Sequence, residues 1–239
     1  MLNKEYKIGP TKTFLIVKIL IFTTLTASML NAIFSPMMKV SYLDKFLSLS
    51  PLTFEKFYLW QFFTYSILES SYGINVGFLF NLGFNLYLFW IISTEAIVRT
   101  SKLQFGFFYF ISIILTGFFV FLSMLITKSS HSFTSISIPL YIVLIGWMML
   151  VDKNSKIFLF FAIPIKLTNL VLIVVGFSLF TSLSNMNIVY FTAVSSSVLI
   201  AYFYSVIVFQ KNGPIKNIYP FENKTISLTS KFIDKIIKK

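Results

Sequence analysis

The 239 residues are 56% hydrophobic and 12% charged, with a mean hydropathy of +0.83 and a formal charge of +12. A soluble domain carries about 25% charged residues, so the composition excludes an ordinary water-soluble fold. The absence of cysteine excludes disulfides and Cys-ligated metal centres, and the single histidine argues against a His-based metal site. We therefore expect no cofactor and no metal.

The first apolar run follows a polar N-terminal tail at residues 1–13. It extends from Phe14 to about Phe34 and is interrupted by Lys18, whose ammonium group can reach the membrane surface. A cleaved signal peptide is the alternative interpretation. The run is long, however, and no small-residue cleavage site follows it, which favours a membrane span.

Five further apolar runs lie at residues 74–92, 103–126, 136–151, 167–183 and 187–209. The sequence therefore predicts an all-α, polytopic membrane protein with six transmembrane helices at residues 14–209, followed by a basic tail at residues 210–239. The run at 136–151 is short, which suits a helix surrounded by the other helices. A further apolar stretch ending in Pro164, Ile165 and Lys166 predicts an extended connector, because proline disfavours helix at the preceding residue.

Residues 35–73, named here the interfacial segment, are both aromatic and charged. The charged side chains are those of Lys39, Asp44, Lys45, Glu55, Lys56 and Glu69. They are too numerous for a span, yet the apolar runs at 47–51 and 58–65 are unusual for a loop. Tryptophan and tyrosine favour the membrane interface, so we expect short amphipathic pieces lying there between the first two spans.

The basic residues predict the orientation. Fifteen of the 20 Lys and Arg residues lie in the two tails and in the loops after the second and fourth spans. The positive-inside rule then places both termini in the cytosol, in a membrane of bacterial inner membrane or endoplasmic reticulum type. Because the basic residues flank apolar runs, we expect the lipid bilayer as a partner and no nucleic acid. From residue 225 the tail alternates basic and apolar residues, which is typical of an amphipathic helix on an anionic leaflet, or of a merely solvated tail.

Several short motifs occur in an order that resembles the rhomboid family of membrane proteins. They are the Leu-Ser-Leu-Ser-Pro run at 47–51, the Trp-Gln-Phe-Phe-Thr-Tyr run at 60–65, Phe-Asn-Leu at 80–82 with Glu95, and Ile163–Lys166. The distance from Asn81 to Glu95 is longer than in the family pattern. The resemblance implies a rhomboid-like six-helix bundle with an interfacial loop between helices 1 and 2. Derlin-like relatives without protease activity share this layout.

The resemblance also implies where a protease site would lie. Active rhomboids have a serine nucleophile in a Gly-x-Ser-Gly motif that opens the fourth span, a histidine base on the sixth span, and a histidine and an asparagine on the second. Ser137 falls at the nucleophile position, but Ser135 and Ile138 replace the two glycines. Asn81 matches the asparagine, whereas Gly77 stands where the histidine is expected.

The sixth span contains no histidine, so the expected base is missing. A serine hydroxyl needs a base within hydrogen-bond reach to become a nucleophile. His131 lies six residues before Ser137 in the preceding loop, where an exposed loop histidine is the favoured interpretation and a recruited base the alternative. Asn81 and Asn85 lie one helical turn apart, which favours hydrogen bonding between helices over a polar substrate groove.

These features favour a rhomboid-like pseudoprotease that binds transmembrane segments of client membrane proteins, in quality control, trafficking or assembly. Asn85, Trp60 and Gln61 are the candidate binding residues. One alternative is an active intramembrane serine protease with Ser137 as its nucleophile. The other is a small transporter or a membrane assembly factor, although the scarcity of ionisable residues within the spans argues against ion coupling.

Overall fold

The computed structural model describes residues 13–38, 42–151, 156–159 and 163–237. The predicted N-terminal tail lies outside these residues, except for residue 13. The helices are α1 (Leu15–Met38), α2 (Tyr42–Leu47), α3 (Gln61–Thr64), α4 (Val76–Arg99), α5 (Lys102–Ile126), α6 (Ser137–Leu150), α7 (Leu167–Ser184), α8 (Ile188–Ile207) and α9 (Tyr219–Ile237); the strands are β1 (Lys156–Leu159) and β2 (Ile163–Lys166).

Five of these helices, α1, α4, α5, α7 and α8, are long and apolar enough to cross a membrane. The chain is therefore a mainly helical, multi-pass integral membrane protein, as the composition predicts. The sixth apolar run forms α6, which has only 14 residues. At 1.5 Å per residue it extends about 21 Å, less than the ~30 Å hydrocarbon core of a bilayer. The predicted count of six spans therefore depends on whether α6 counts as one.

Helix α6 lies inside the bundle, as its shortness predicts. Most of its side chains are buried, including Ile138, Ile142 and Val143 at 0% exposure. It packs against α4, α5, α7 and α8, while α5 and α8 form the most extensive helix pair. Small residues on α8 permit this close packing, since Ala193, Ser197 and Ala201 are fully buried there.

Helix α4 is longer than hydropathy predicts, because it continues past residue 92 to Arg99. The polar residues that end the apolar run are buried inside the bundle. Ser93 and Thr94 are 0% and 1% exposed, and the Thr94 hydroxyl donates to the carbonyl of Trp90 at 2.8 Å. A hydroxyl satisfied within its own helix can remain in an apolar interior, so the helix does not end where the hydropathy falls.

The connector before α7 is extended, as its proline predicts. Strands β1 and β2 form an antiparallel pair in which Lys156 lies opposite Lys166 and Phe158 lies opposite Pro164. Helix α7 then begins at Leu167, immediately after the second strand. This pairing satisfies backbone N–H and C=O groups of the connector, which lies outside the helices.

Residues 42–73 of the interfacial segment are folded against the middle of α5 and the loop before α6. The Tyr65 hydroxyl donates to the carbonyl of Ile113 on α5 at 3.0 Å, and Tyr65 is fully buried. Leu49 and Phe133 exchange two backbone hydrogen bonds, of 3.0 and 2.8 Å, which join the segment to the loop before α6. Helix α3 also approaches α5 closely at Gly117. The position of this segment relative to a membrane interface stays a prediction.

The C-terminal tail contains a helix, α9, that is attached to α8 through one buried carboxylate. Glu222 is 0% exposed and accepts hydrogen bonds from the Tyr202 hydroxyl and from the Gly213 backbone N–H, the latter at 3.0 Å. Apolar side chains on α9 nonetheless remain exposed, with Phe221 at 55% and Leu228 at 60%. The helix predicted in the tail is therefore present, and its contact with a lipid leaflet stays a prediction.

Candidate functional site

The candidate site begins with two asparagines on α4. Helix α4 starts after Asn75, whose side chain accepts the N–H of Phe78 at 2.8 Å and caps the first turn. Further along α4, the Asn85 side-chain amide donates to the side-chain oxygen of Asn81 at 2.7 Å and to its carbonyl at 2.8 Å. The two residues therefore bond to each other along one helix, and Asn81 alone extends the hydrogen bonding beyond α4.

Asn81 donates its side-chain N–H to the Glu69 carboxylate at 2.7 Å. The same carboxylate accepts the backbone N–H of Ile136, immediately before α6. The backbone N–H of Glu69 itself donates to the Ser28 hydroxyl on α1 at 2.9 Å. Glu69 thus joins α1, α4 and the start of α6. Burial raises the pKa of this carboxyl above its ordinary value, and the two accepted hydrogen bonds only partly oppose the shift.

Sequence reasoning missed Glu69 as a site residue. It belongs to a charged, aromatic segment, and nothing in that segment indicates which of its acidic residues turns inward. The only signal was its position a few residues before the second span, which is too common to identify a site.

Ser137 is the first residue of α6 and is half-buried. Its backbone N–H donates to the Ser135 hydroxyl at 3.3 Å. Among the described residues, no lysine, arginine or histidine side chain hydrogen-bonds its hydroxyl. The preceding N–H, of Ile136, is already bonded to the Glu69 carboxylate. In acyl transfer, donors near the nucleophile must be free to stabilise an oxyanion. Here a resident carboxylate occupies both that backbone donor and the Asn81 amide.

His131 lies apart from this group. It is exposed and lines a cleft of about 520 Å³ between the loop after α5 and the loop that joins α7 to α8, together with Met186 and Asn187. Its backbone N–H donates to the Ser129 hydroxyl at 3.3 Å. No hydrogen bond connects His131 with Ser137 in the described part of the chain, so the arrangement agrees with an exposed loop histidine.

A second polar group lies deeper between α6, α7 and α8. The Tyr141 hydroxyl is 2.6 Å from the Ser178 hydroxyl and 3.5 Å from the Tyr190 hydroxyl. Ser135 also bonds Tyr190 and so connects this group to the start of α6. Sequence reasoning missed these tyrosines, because aromatic residues within apolar spans look like core. Their hydroxyl groups bridge α6, α7 and α8 by hydrogen bonds.

Trp60 and Gln61 hold the interfacial segment together. The Trp60 indole N–H donates to the Phe46 carbonyl at 2.9 Å, and its ring lies 5.0 Å from that of Phe46. Gln61 is fully buried; its amide donates to the Lys45 carbonyl at 3.0 Å and accepts from the Thr53 hydroxyl at 2.7 Å. A binding role for Gln61 would require these bonds to break. Trp60 remains 39% exposed and accessible to a partner.

The chain matches no protein-family model and no curated protein. In the described residues, no group of three or more His, Cys, Asp or Glu side chains could hold a metal ion. The helices of the described residues and the sequence motifs that resemble rhomboids are the features that bear on function. That geometry provides polar groups bonded across helices and a serine without a bonded base.

Proposed function

We propose that this chain is a rhomboid-like, non-catalytic membrane protein that binds transmembrane segments of client proteins. The observation that carries the proposal is the packing of α4 and α7. Both helices contact α6, but they share almost no contacts with each other. We infer from this packing a seam between α4 and α7, in front of the internal helix α6, on which a third apolar helix could pack without displacing core contacts.

The chemistry beside this seam supports binding over cleavage. Asn81 is half-buried on α4, and its amide is engaged by Glu69, so this polar surface is held in place by its own hydrogen bonds. Exposed aromatic side chains lie on both helices, with Phe80 on α4 at 71% and Phe177 on α7 at 68% exposure. An apolar client helix would find van der Waals partners on both sides of the seam.

Site-specific crosslinking tests client binding. A photo-reactive residue at position 80 or 177 should crosslink a single-span test protein that is co-reconstituted in liposomes. The same residue at position 107 should not, because Phe107 is equally exposed at 62% but lies on α5, away from the seam. Crosslinking of equal yield at all three positions would reflect random encounters in the bilayer and would contradict the proposal.

The same preparation tests proteolytic silence. The test protein should remain intact, and Ser137→Ala should leave both its crosslinking and the melting midpoint nearly unchanged, because Ser137 has no bonded base to activate it. Cleavage that disappears in Ser137→Ala would instead establish the alternative, an active serine protease. A further loss in His131→Ala would identify the base.

The proposed orientation has its own test. Topology reporters fused after Lys102, Lys166 and Lys239 should report a cytosolic location, and reporters near Lys56 and Lys128 should report the opposite side. The reason is the distribution of basic residues, which favours the cytosolic face. A cytosolic signal near Lys56 would contradict the proposed topology. It would not contradict the proposed client binding between α4 and α7.

A further inference from the structure

A second cleft, of about 990 Å³, lies between the interfacial segment and the loop after α5. One wall comes from residues 45–58 and the other from residues 124–132. The backbone pairing of Leu49 with Phe133 joins the two walls, and the Phe54 ring packs edge-on against Phe121 of α5 at 4.9 Å. The cleft is therefore formed by fixed contacts on both sides.

Three lysines, Lys45, Lys56 and Lys128, line this cleft, and all three side chains are exposed. In the part of the chain that the structure describes, none of them forms an ion pair with a carboxylate. The cleft lining includes no acidic residue. Asp44, next to Lys45, instead accepts a hydrogen bond from Ser70, which in turn bonds Thr134. Among the described residues, the cleft lining thus carries three positive charges and no carboxylate.

Lys128 has an unusual backbone conformation. Its φ is 49°, in the left-handed region that normally favours glycine. It ends α5 in a Schellman motif, because the N–H of Ser129 donates to the carbonyl of Met124 at 3.0 Å and the N–H of Lys128 to that of Leu125 at 3.3 Å. The end of α5 thus places a lysine, and with it a positive charge, at the cleft.

The cleft lies where a spanning helix ends. Lys128 follows two residues after Ile126, the last residue of α5, so a membrane spanned by α5 would have its lipid headgroups near this ammonium group. Apolar side chains also line the cleft and are exposed there, with Phe46 at 53%, Leu52 at 43% and Leu125 at 50%. Adjacent cationic and apolar surfaces match an amphiphile with an anionic head.

We propose that this cleft binds an anionic phospholipid, with Lys45, Lys56 and Lys128 around the phosphate and the acyl chains along Phe46, Leu52 and Leu125. Ammonium groups bind phosphate oxygens through charge-assisted hydrogen bonds. The attraction between the ammonium groups and the phosphate falls with ionic strength. The bound lipid would bridge the interfacial segment and the end of α5.

Native mass spectrometry of the purified full chain tests the proposal, because bound lipid and bound phosphate differ in mass. The protein should retain phosphatidylglycerol more tightly than phosphatidylcholine. The variant Lys45→Gln/Lys56→Gln/Lys128→Gly should bind phosphatidylglycerol roughly a hundred-fold more weakly, from about five-fold per lysine. Lys211→Gln, at an exposed lysine after α8, is the matched control and should bind as the wild type does.

The Lys128→Gly variant separates binding from folding. Glycine relieves the left-handed strain, so this variant should melt at a higher temperature in lipid-free detergent while binding phosphatidylglycerol more weakly. Equal retention of the two lipids, unchanged binding by the triple variant, or binding of inorganic phosphate in place of the lipid would each overturn the proposal.

Discussion

Replacing Gly117 with alanine should destabilise the protein by about 1–3 kcal/mol, the range for adding a methyl group to a tightly packed contact. A Cβ at this position would lie 2.9 Å from the Phe62 carbonyl oxygen and 2.9 Å from the Tyr65 ring. The first of these is backbone, which cannot rotate away. Helix α3 would have to move from α5, straining the hydrogen bond from Tyr65 to Ile113. Thermal melting in detergent measures the effect.

Gly83→Ala is the matched control. Gly83 lies within α4, and a Cβ there would meet no atom within 4 Å. Alanine has the higher helix propensity, by about 1 kcal/mol in soluble helices, so this variant should melt at the wild-type temperature or above. If Gly117→Ala and Gly83→Ala behaved alike, the close approach of the interfacial segment to α5 would be wrong.

The positions of the helices were predictable because a bilayer imposes a length on apolar runs. The predicted runs at 103–126 and 167–183 correspond closely to α5 and α7, at Lys102–Ile126 and Leu167–Ser184. Hydropathy did not predict the end of α4, where the buried Thr94 hydroxyl is hydrogen-bonded inside the helix. Composition alone also does not distinguish α6 from a spanning helix. Its residues are as apolar as those of the neighbouring helices, and α6 differs from them mainly in length.

The candidate site was only partly predictable, because its members meet through tertiary packing. Asn81 and Asn85 follow from helical periodicity, and their one-turn spacing indicates a shared face. Glu69 reaches Asn81 and Ile136 only once the interfacial segment folds onto the bundle. No local sequence pattern predicts these contacts between distant parts of the chain. The left-handed backbone conformation of Lys128 was likewise not predictable from the sequence, because only a glycine at that position would have indicated it.

Glu69→Gln should remove a pH dependence of stability that the wild type has. Burial raises the pKa of the folded Glu69 carboxyl above its ordinary value of 4.5. A raised acid pKa means that the unfolded chain loses this proton at lower pH than the folded chain does. The contribution to stability is therefore fully present below about pH 4.5 and is lost as the pH rises through the folded pKa. Glutamine stays neutral and cannot show this loss.

The measurement is the difference in melting midpoint between Glu69→Gln and wild type, taken from pH 4 to pH 8 in one detergent. Other titrating groups are common to both proteins and cancel in the difference, which should shift in favour of the glutamine variant as the pH rises. Glu55→Gln is the control, because Glu55 is exposed in the same segment and its variant should follow the wild-type curve. A Glu69→Gln difference that is flat with pH, or that falls, would mean that the carboxylate is not held in a desolvated position between α4 and α6.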